Sequence, residues 1–239
     1  MIRRLLLILT LGSLAAIIMV NLDPVTTKLH RLILLSALIG IWLGPLILLW
    51  KKKPARIALC VIAAIAIIPF LLPGRTIDPQ ELRQDYLKRM ISYQGTPYHW
   101  GGENSRGIDC SGLPRKALRE ALFSNGIRHL NGGSLRLFLK HWWNDASAKA
   151  LAEGHLDFAN PTGHSGTIAT MDYSGLTPGD LIVTENRRHI LAYVGNDQWI
   201  QADPSAGKVT IENGRTSPNG WFAVPVTSHC WSVLTDTDS

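Results

Sequence analysis

The sequence has 239 residues, of which 46% are hydrophobic and 18% charged, with a net charge of +6. Residues 1–76 contain nine Lys/Arg against one Asp, whereas residues 77–239 contain 15 Lys/Arg against 17 Asp/Glu. The second segment is therefore slightly acidic, and we expect no nucleic acid among its partners. Three cysteines, one of them within an apolar run, exclude a disulfide-stabilised scaffold.

Three apolar runs without a charge occupy residues 5–22, 32–50 and 57–74. A helix of about 20 apolar residues spans a bilayer, so the runs predict three transmembrane helices and a membrane anchor over residues 1–76. Three such runs in succession leave no polar face for a soluble helix bundle. No small-residue cleavage site follows the first run, which favours a retained span over a cleaved signal peptide.

The short connections between the runs predict the topology. Arg3 and Arg4 precede the first run, and Lys51–Lys53 and Arg56 fill the second connection without an acidic residue. Positively charged connections stay in the cytoplasm. Three spans then place everything after residue 74 on the outer side of the cytoplasmic membrane, in a multi-pass protein.

Residues 77–239 are enough for one domain with its own core and too few for two. Asp78-Pro79-Gln80-Glu81 has the pattern of a capping box with proline at the first helical position, and it predicts a helix running to Ser92. Only four residues separate this helix from the third run. The domain is therefore expected to stay close to the membrane surface.

Residues 93–113 form a glycine-rich stretch that ends in Asp109-Cys110-Ser111-Gly112, before a helix-like run of residues 113–122. Pro114 costs no hydrogen bond in a first turn, so the helix should begin close to Cys110. A thiol at a helix N-terminus is expected to have a lowered pKa and to act as a nucleophile. Cys60 and Cys230, in apolar settings, are expected to be small buried hydrophobes.

The segment of residues 124–175 has a helical pattern over residues 134–153 and a loop-like pattern over residues 154–175. Two interpretations remain open for it: one wall of a substrate cleft, or a surface elaboration that covers the sheet. Its histidines lack the spacing of zinc ligands, so we expect no metal and no cofactor.

From residue 180 onward short apolar runs alternate with turn residues. The expected strands are residues 181–184, 189–194, 199–202, 208–211, 221–226 and 231–234. Helices followed by an antiparallel sheet predict an α+β fold.

The string TPYHWGG…GIDCSGL, which contains Cys110, resembles the signature of the NlpC-type cysteine peptidases, papain-like enzymes that cut peptidoglycan stem peptides. Three later motifs also resemble the family in the right order: LTPGDLIV over residues 176–183, HILAYVG, which begins at His189, and WIQA over residues 199–202. The resemblance implies a papain-like NlpC-type fold, helices packed on an antiparallel sheet, after the three transmembrane helices. Residues 77–239 would be the peptidase domain.

The resemblance also implies catalytic roles. Cys110 would be the nucleophile and His189 the base that takes its proton. The third member, which orients the imidazole, is a histidine in most relatives, but this sequence has Gln201. A glutamine oxygen accepts a hydrogen bond from an imidazole N–H, and Asp203, two residues on and on the same strand face, is the reserve candidate.

Three further residues match family positions beside the nucleophile. The Tyr98 hydroxyl is expected to contact the substrate or the developing oxyanion, together with the Cys110 backbone N–H. Asp109 and Ser111 match positions that shape the subsite next to the scissile bond. For all three, hydrogen bonding within the local turn is the alternative.

The sequence thus predicts a membrane-anchored cysteine endopeptidase that hydrolyses amide bonds in peptidoglycan stem peptides. One alternative is a papain-like acyltransferase or amidase acting on a lipid or peptide near the membrane, because fold alone does not fix the reaction. The other is a wall-binding protein without turnover, against which the presence of both Cys110 and His189 argues.

Overall fold

The computed structural model describes residues 1–235. Three long apolar helices come first: α1 spans Ile2–Leu22, α2 spans Lys28–Leu48 and α3 spans Lys53–Leu71. Each is long and apolar enough to cross a membrane. Helix α3 ends three residues before the apolar run does, because Leu72 precedes a proline and has the extended backbone that this position favours.

Helices α1 and α2 pack against each other as a hairpin through small residues. A Cβ atom at Gly40 would collide with Ser13 Oγ, and one at Gly44 would collide with Thr10 Oγ1. Close approach of two backbones through small side chains is the usual way in which membrane helices associate.

Helix α4 spans Pro79–Ser92 as predicted, and its N-cap Asp78 accepts a 2.9 Å hydrogen bond from the Gln80 N–H. Three more helices follow: α5 over Gly112–Arg128, α6 over Gly132–Trp143 and the short α7 over Ala148–Ala152. Helix α6 contacts the end of α3, where the Gly132 N–H donates to the Pro73 carbonyl at 3.2 Å and the Arg136 guanidinium donates to the Phe70 carbonyl at 2.9 Å. The segment of residues 124–175 therefore touches the third apolar helix.

The remaining elements are strands. A two-residue pair, β1 (Glu103–Asn104) and β2 (Gly107–Ile108), precedes α5. The main sheet contains β3 (Ala159–Thr167), β4 (Leu181–Thr184), β5 (Ile190–Gly195), β6 (Gln198–Asp203), β7 (Lys208–Asn213) and β8 (Pro225–Trp231). Its strand order is β3-β8-β4-β5-β6-β7, and all neighbours are antiparallel. The predicted α+β class is confirmed.

Both faces of the sheet are covered, as β4 illustrates. Leu181 and Val183 belong to the core formed with α4 and α5, whereas Ile182 packs on the opposite face with Trp199 and Phe222. Successive side chains of a strand point to opposite faces, so a strand that is apolar at every position needs two cores.

Two predictions about the sheet are wrong. Residues 154–175 are not a loop throughout, because β3 lies among them and pairs with β8. The two strands expected over residues 221–226 and 231–234 are one strand, β8, with 3₁₀ turns at Gly220–Ala223 and Ser232–Leu234. The polar residues Ser228 and His229 interrupt the apolar pattern, although both are buried between the neighbouring strands.

Candidate active site

The Asp109 carboxylate ties the start of α5 to the glycine-rich loop before it. Its Oδ1 accepts hydrogen bonds from the Ser111 N–H at 3.0 Å and the Gly112 N–H at 2.5 Å. Its Oδ2 accepts from the Gly101 N–H at 2.9 Å. Gly101 has φ +73°, a left-handed conformation that favours glycine. The loop and the helix start are therefore fixed relative to each other.

Cys110 lies between this carboxylate and the beginning of α5, with 6% of its surface exposed. Its Sγ is 3.8 Å from the Arg188 carbonyl oxygen, next to the residue predicted to be the base. Burial raises the pKa of the Cys110 thiol to about 11, and the nearby Asp109 charge adds to the rise.

The expectation of a lowered thiol pKa at the helix N-terminus is wrong for this resting site. The first N–H groups of α5 donate to the Asp109 carboxylate, so their positive potential is already compensated by an anion. The same carboxylate opposes a second negative charge on Sγ.

His189 follows the turn between β4 and β5 and is 1% exposed. Its backbone N–H donates to Thr184 Oγ1 at 3.1 Å, and its Nε2 lies 2.6 Å from Gln201 Oε1 on β6. An amide oxygen only accepts, so His189 Nε2 carries the hydrogen. Nδ1 is then unprotonated, and no hydrogen bond to it occurs within the described residues.

The environment keeps the His189 imidazole neutral. Burial lowers its pKa below the ordinary value of 6.5, and the bond to Gln201 offsets part of that effect. Trp221 contributes to the burial, because its ring stacks on the imidazole with centroids 4.1 Å apart and planes inclined by 17°. Sequence reasoning missed Trp221, since it lies far along the chain in a 3₁₀ turn and no local pattern marks it.

Backbone contacts place Tyr98 near Cys110: the Tyr98 N–H donates to the Gly207 carbonyl at 2.8 Å, and Tyr98 forms a bridge to Ile108. Its hydroxyl meets no hydrogen-bond partner within residues 1–235. Burial, with the charges of Cys110 and Asp109, raises the pKa of Tyr98 to about 12, so the hydroxyl remains a donor at neutral pH.

A cleft of about 800 Å³ joins these groups. Five of the predicted residues line it, together with Trp221: Tyr98, Asp109, Cys110, Ser111 and His189. Gln201 lies behind His189 and is 1% exposed.

Two predicted residues face other partners. The Ser111 hydroxyl donates to Asp109 Oδ1 at 3.0 Å, as the local-turn alternative requires. Asp203 accepts from the Ser205 N–H at 2.7 Å and from Asn219 Nδ2 at 2.8 Å, and it forms no hydrogen bond to His189 in the described part of the chain.

The segment of residues 124–175 contributes to one wall of the cleft through Asp145, Ser147 and Ala148. Its strand β3 also extends the sheet at the edge next to β8. The first interpretation left open by the sequence therefore describes the part around Asp145, whereas β3 is a strand of the sheet and not a cover over it.

Among curated proteins, the chain is similar to the probable endopeptidase NlpC of Escherichia coli K12, with 26% identity over 143 residues, 56% of this chain and 72% of that protein. It is also similar to dipeptidyl-peptidase 6 of Lysinibacillus sphaericus, with 45% identity over 38 residues, 16% of this chain and 14% of that protein. The chain thus spans only a small part of the second relative.

Solved structures give a similar picture. NlpC1 from Trichomonas vaginalis aligns with 19% identity and a TM-score of 0.42 over 65% of this chain and 45% of that chain. The peptidoglycan hydrolase RipB from Mycobacterium tuberculosis aligns with 23% identity and a TM-score of 0.39 over 69% of this chain and 83% of that chain. The sequence model of the NlpC/P60 family matches residues 95–222, which is more than half of the chain. The chain belongs to the NlpC/P60 family.

Proposed function

We propose that this protein is a membrane-anchored cysteine endopeptidase that hydrolyses amide bonds in peptidoglycan stem peptides. Family membership and the names of its relatives, an endopeptidase and a peptidoglycan hydrolase among them, support the reaction class. The observation that carries the proposal is the 2.6 Å contact between His189 and Gln201 behind a cleft that also contains Cys110.

In the proposed reaction Cys110 Sγ attacks the carbonyl carbon of the scissile amide while His189 Nδ1 takes the thiol proton. The imidazolium then returns that proton to the leaving amine, and water hydrolyses the thioester to release the acid and the thiol. Gln201 holds the Nε2–H tautomer in place through both steps. The raised pKa of the Cys110 thiol and the lowered pKa of His189 favour a neutral resting pair, so proton transfer accompanies attack.

Two donors are available for the negative charge that develops on the carbonyl oxygen. Within the described residues the Cys110 N–H makes no backbone hydrogen bond. Tyr98 lines the same cleft, and its hydroxyl has no hydrogen-bond partner among those residues. We assign this role to both, because donors that are fixed before the reaction stabilise the oxyanion without reorganisation. Asp109 and Ser111 act indirectly, by fixing the turn that presents Cys110.

The proposed organisation is a membrane anchor over residues 1–76 and a peptidase domain over residues 77–239, on the outer side of the cytoplasmic membrane. A contact across the chain supports this topology. The connection between α1 and α2 touches the catalytic loop, since the Glu103 N–H donates to the Pro24 carbonyl at 2.9 Å. Three spans place that connection and the domain on the same side of the membrane, and the basic residues near Arg3 and Lys51 on the other.

The test uses the full chain, purified in detergent and incubated with purified muropeptides. We expect mass spectrometry to detect fragments that together gain the mass of one water, with wild type and with Cys230→Ser but not with Cys110→Ser. Unchanged muropeptides would contradict the proposal. Products that join two peptides instead of gaining water would favour the acyltransferase alternative.

A further inference from the structure

The connection between the first two apolar helices, residues 23–27, lies against the loop that leads to Cys110. The Glu103 N–H donates to the Pro24 carbonyl at 2.9 Å, and the Thr26 N–H donates to the Gly101 carbonyl at 3.3 Å. Val25 and Gly102 form an antiparallel bridge between these two bonds. The connection therefore pairs with the catalytic loop as a short strand would.

The contact continues from this pairing to the nucleophile. Gly101 and Gly102 both form hydrogen bonds with Asp109. The Gly101 N–H donates to the Asp109 carboxylate at 2.9 Å, and the Asp109 N–H donates to the Gly102 carbonyl at 3.1 Å. Asp109 precedes Cys110 directly and accepts from the first N–H groups of α5. Only the backbone of Gly101 and Gly102 therefore lies between residues 23–27 and the Asp109 that precedes Cys110.

A group of charged side chains, most of them buried, also joins the start of α2 to the domain. Arg31, in the first turn of α2, is 1% exposed and pairs with Asp145 at 2.5 Å and with Glu103 at 3.5 Å. Asp145 also pairs with Arg115 at 2.8 Å, and both of these residues line the cleft. Although burial opposes its ionisation, Glu103 keeps a pKa below the ordinary value because Arg115 and Arg119 lie beside it.

Thr26 itself lines the cleft that contains Cys110 and His189. We infer that residues 23–27 form one wall of the substrate cleft, and that Thr26 is a specificity-determining residue that contacts the bound peptide. The inference rests on the proposed function and adds to it. The membrane segment is then a component of the active site and not only a tether.

This wall fixes the height of the cleft above the bilayer. Thr26 is the fourth residue after Leu22, the last residue of α1. An extended chain spans at most about 3.6 Å per residue, so the cleft edge lies within about 14 Å of the end of an apolar helix. A substrate has to present its amide bond at that level.

The experiment makes the cleft narrower at Thr26 and leaves the proposed catalytic residues unchanged. Thr26→Trp adds bulk inside the cleft, and Lys28→Trp adds the same bulk at the exposed first residue of α2. All variants carry Cys60→Ala and Cys230→Ala, so that Cys110 is the one thiol. The full chain in detergent is assayed for muropeptide hydrolysis and for labelling of Cys110 by iodoacetamide and by a fluorescein-bearing maleimide.

We expect Thr26→Trp to lower kcat/KM for muropeptides by about tenfold or more, mainly through KM, while Lys28→Trp stays near wild type. Iodoacetamide is small and should label Cys110 at an unchanged rate in Thr26→Trp, whereas the large maleimide should label it more slowly. An active Thr26→Trp variant with wild-type KM and wild-type maleimide labelling would overturn the inference. If wild type cleaves no muropeptide, the proposed function fails, and the two labelling rates still decide whether Thr26 borders the cleft.

Discussion

His189 Nε2 lies 2.6 Å from Gln201 Oε1, across two adjacent strands of the sheet. Both side chains are 1% exposed, so water does not compete for this bond. The amide fixes one tautomer of the imidazole and leaves Nδ1 unprotonated, as the proposed proton transfer from Cys110 requires. Because the Gln201 amide is neutral, it fixes the His189 tautomer without adding a charge to the site.

Replacing Gln201 tests whether its side chain orients the His189 imidazole. Gln201→Ala should lower kcat for muropeptides by about 10- to 100-fold, because the imidazole loses the group that holds it. Gln201→His should retain substantial activity, since a second imidazole accepts the same hydrogen bond. Gln198→Ala, at the start of the same strand, is the matched control. If Gln201→Ala is silent and Asp203→Ala is inactive, the third catalytic member is Asp203.

The stacked Trp221 ring should control the pH range of activity. Burial holds the pKa of His189 below 6.5, so the neutral imidazole persists into mildly acidic solution and activity declines only below that pH. Trp221→Ala admits water to the imidazole, so the His189 pKa should rise and the acid limb of kcat/KM should move to higher pH. Trp50→Ala, in the turn between α2 and α3 and not among the residues that line the cleft, should leave the profile unchanged. An unshifted acid limb in Trp221→Ala would refute this role.

The sequence was sufficient for those parts of the site that lie within local motifs. Cys110, His189 and Gln201 each occur in a short segment whose residues define it, and the structure brings the first two into one cleft with the third behind His189. Trp221 and Thr26 reach the cleft through contacts distant in sequence, which no local pattern encodes. The order of the elements predicts the α+β class. The sequence divides β8 into two strands, because its buried polar residues resemble a turn.

The thiol pKa shows a different limit of sequence reasoning. A cysteine before a helix predicts thiolate stabilisation, but that holds only while the helix N–H groups are free. In this protein Asp109, the residue immediately before Cys110, accepts two of them. Burial of the thiol and the charge of Asp109 both raise the Cys110 pKa, and the local sequence specifies neither the burial nor the position of the Asp109 side chain.

The proposed topology has a direct test. Alkaline phosphatase fused after Ser239 should be active, because the enzyme folds only outside the cytoplasm and three spans carry the C-terminal domain there. A fusion to a fluorescent protein that matures only in the cytoplasm should stay dark. The opposite pair of results would place the domain inside and contradict the proposed substrate as well.

The buried Arg31 should stabilise the junction between anchor and domain. Arg31→Ala removes one of three cations beside the buried Glu103. Because Arg115 and Arg119 still pair with Glu103, we expect a loss of about 1.5–3 kcal/mol, the usual range for a hydrogen bond to a charged group. Lys28→Ala, one turn earlier and exposed, should change stability by no more than about 0.5 kcal/mol. Thermal unfolding of both variants in the same detergent measures the difference. Equal midpoints would mean that the anchor is only loosely attached to the domain.

The pH dependence of alkylation should show whether the Cys110 thiol is protonated before the reaction. Because burial and Asp109 raise the pKa of Cys110 to about 11, labelling by iodoacetamide should accelerate steadily from neutral pH towards pH 10, without a plateau at acidic pH.

Burial also raises the pKa of Cys230 to about 11, but this thiol is 3% exposed and lies outside the cleft, so it should react more slowly at every pH. In a Cys60→Ala background, mass spectrometry of labelled peptides assigns the rates to the two thiols. Cys110→Ser should fold like wild type and be inactive, since a serine hydroxyl is far harder to deprotonate than a thiol. Rapid labelling of Cys110 near pH 5 would mean that a preformed thiolate–imidazolium pair exists, and the coupled proton transfer proposed here would be wrong.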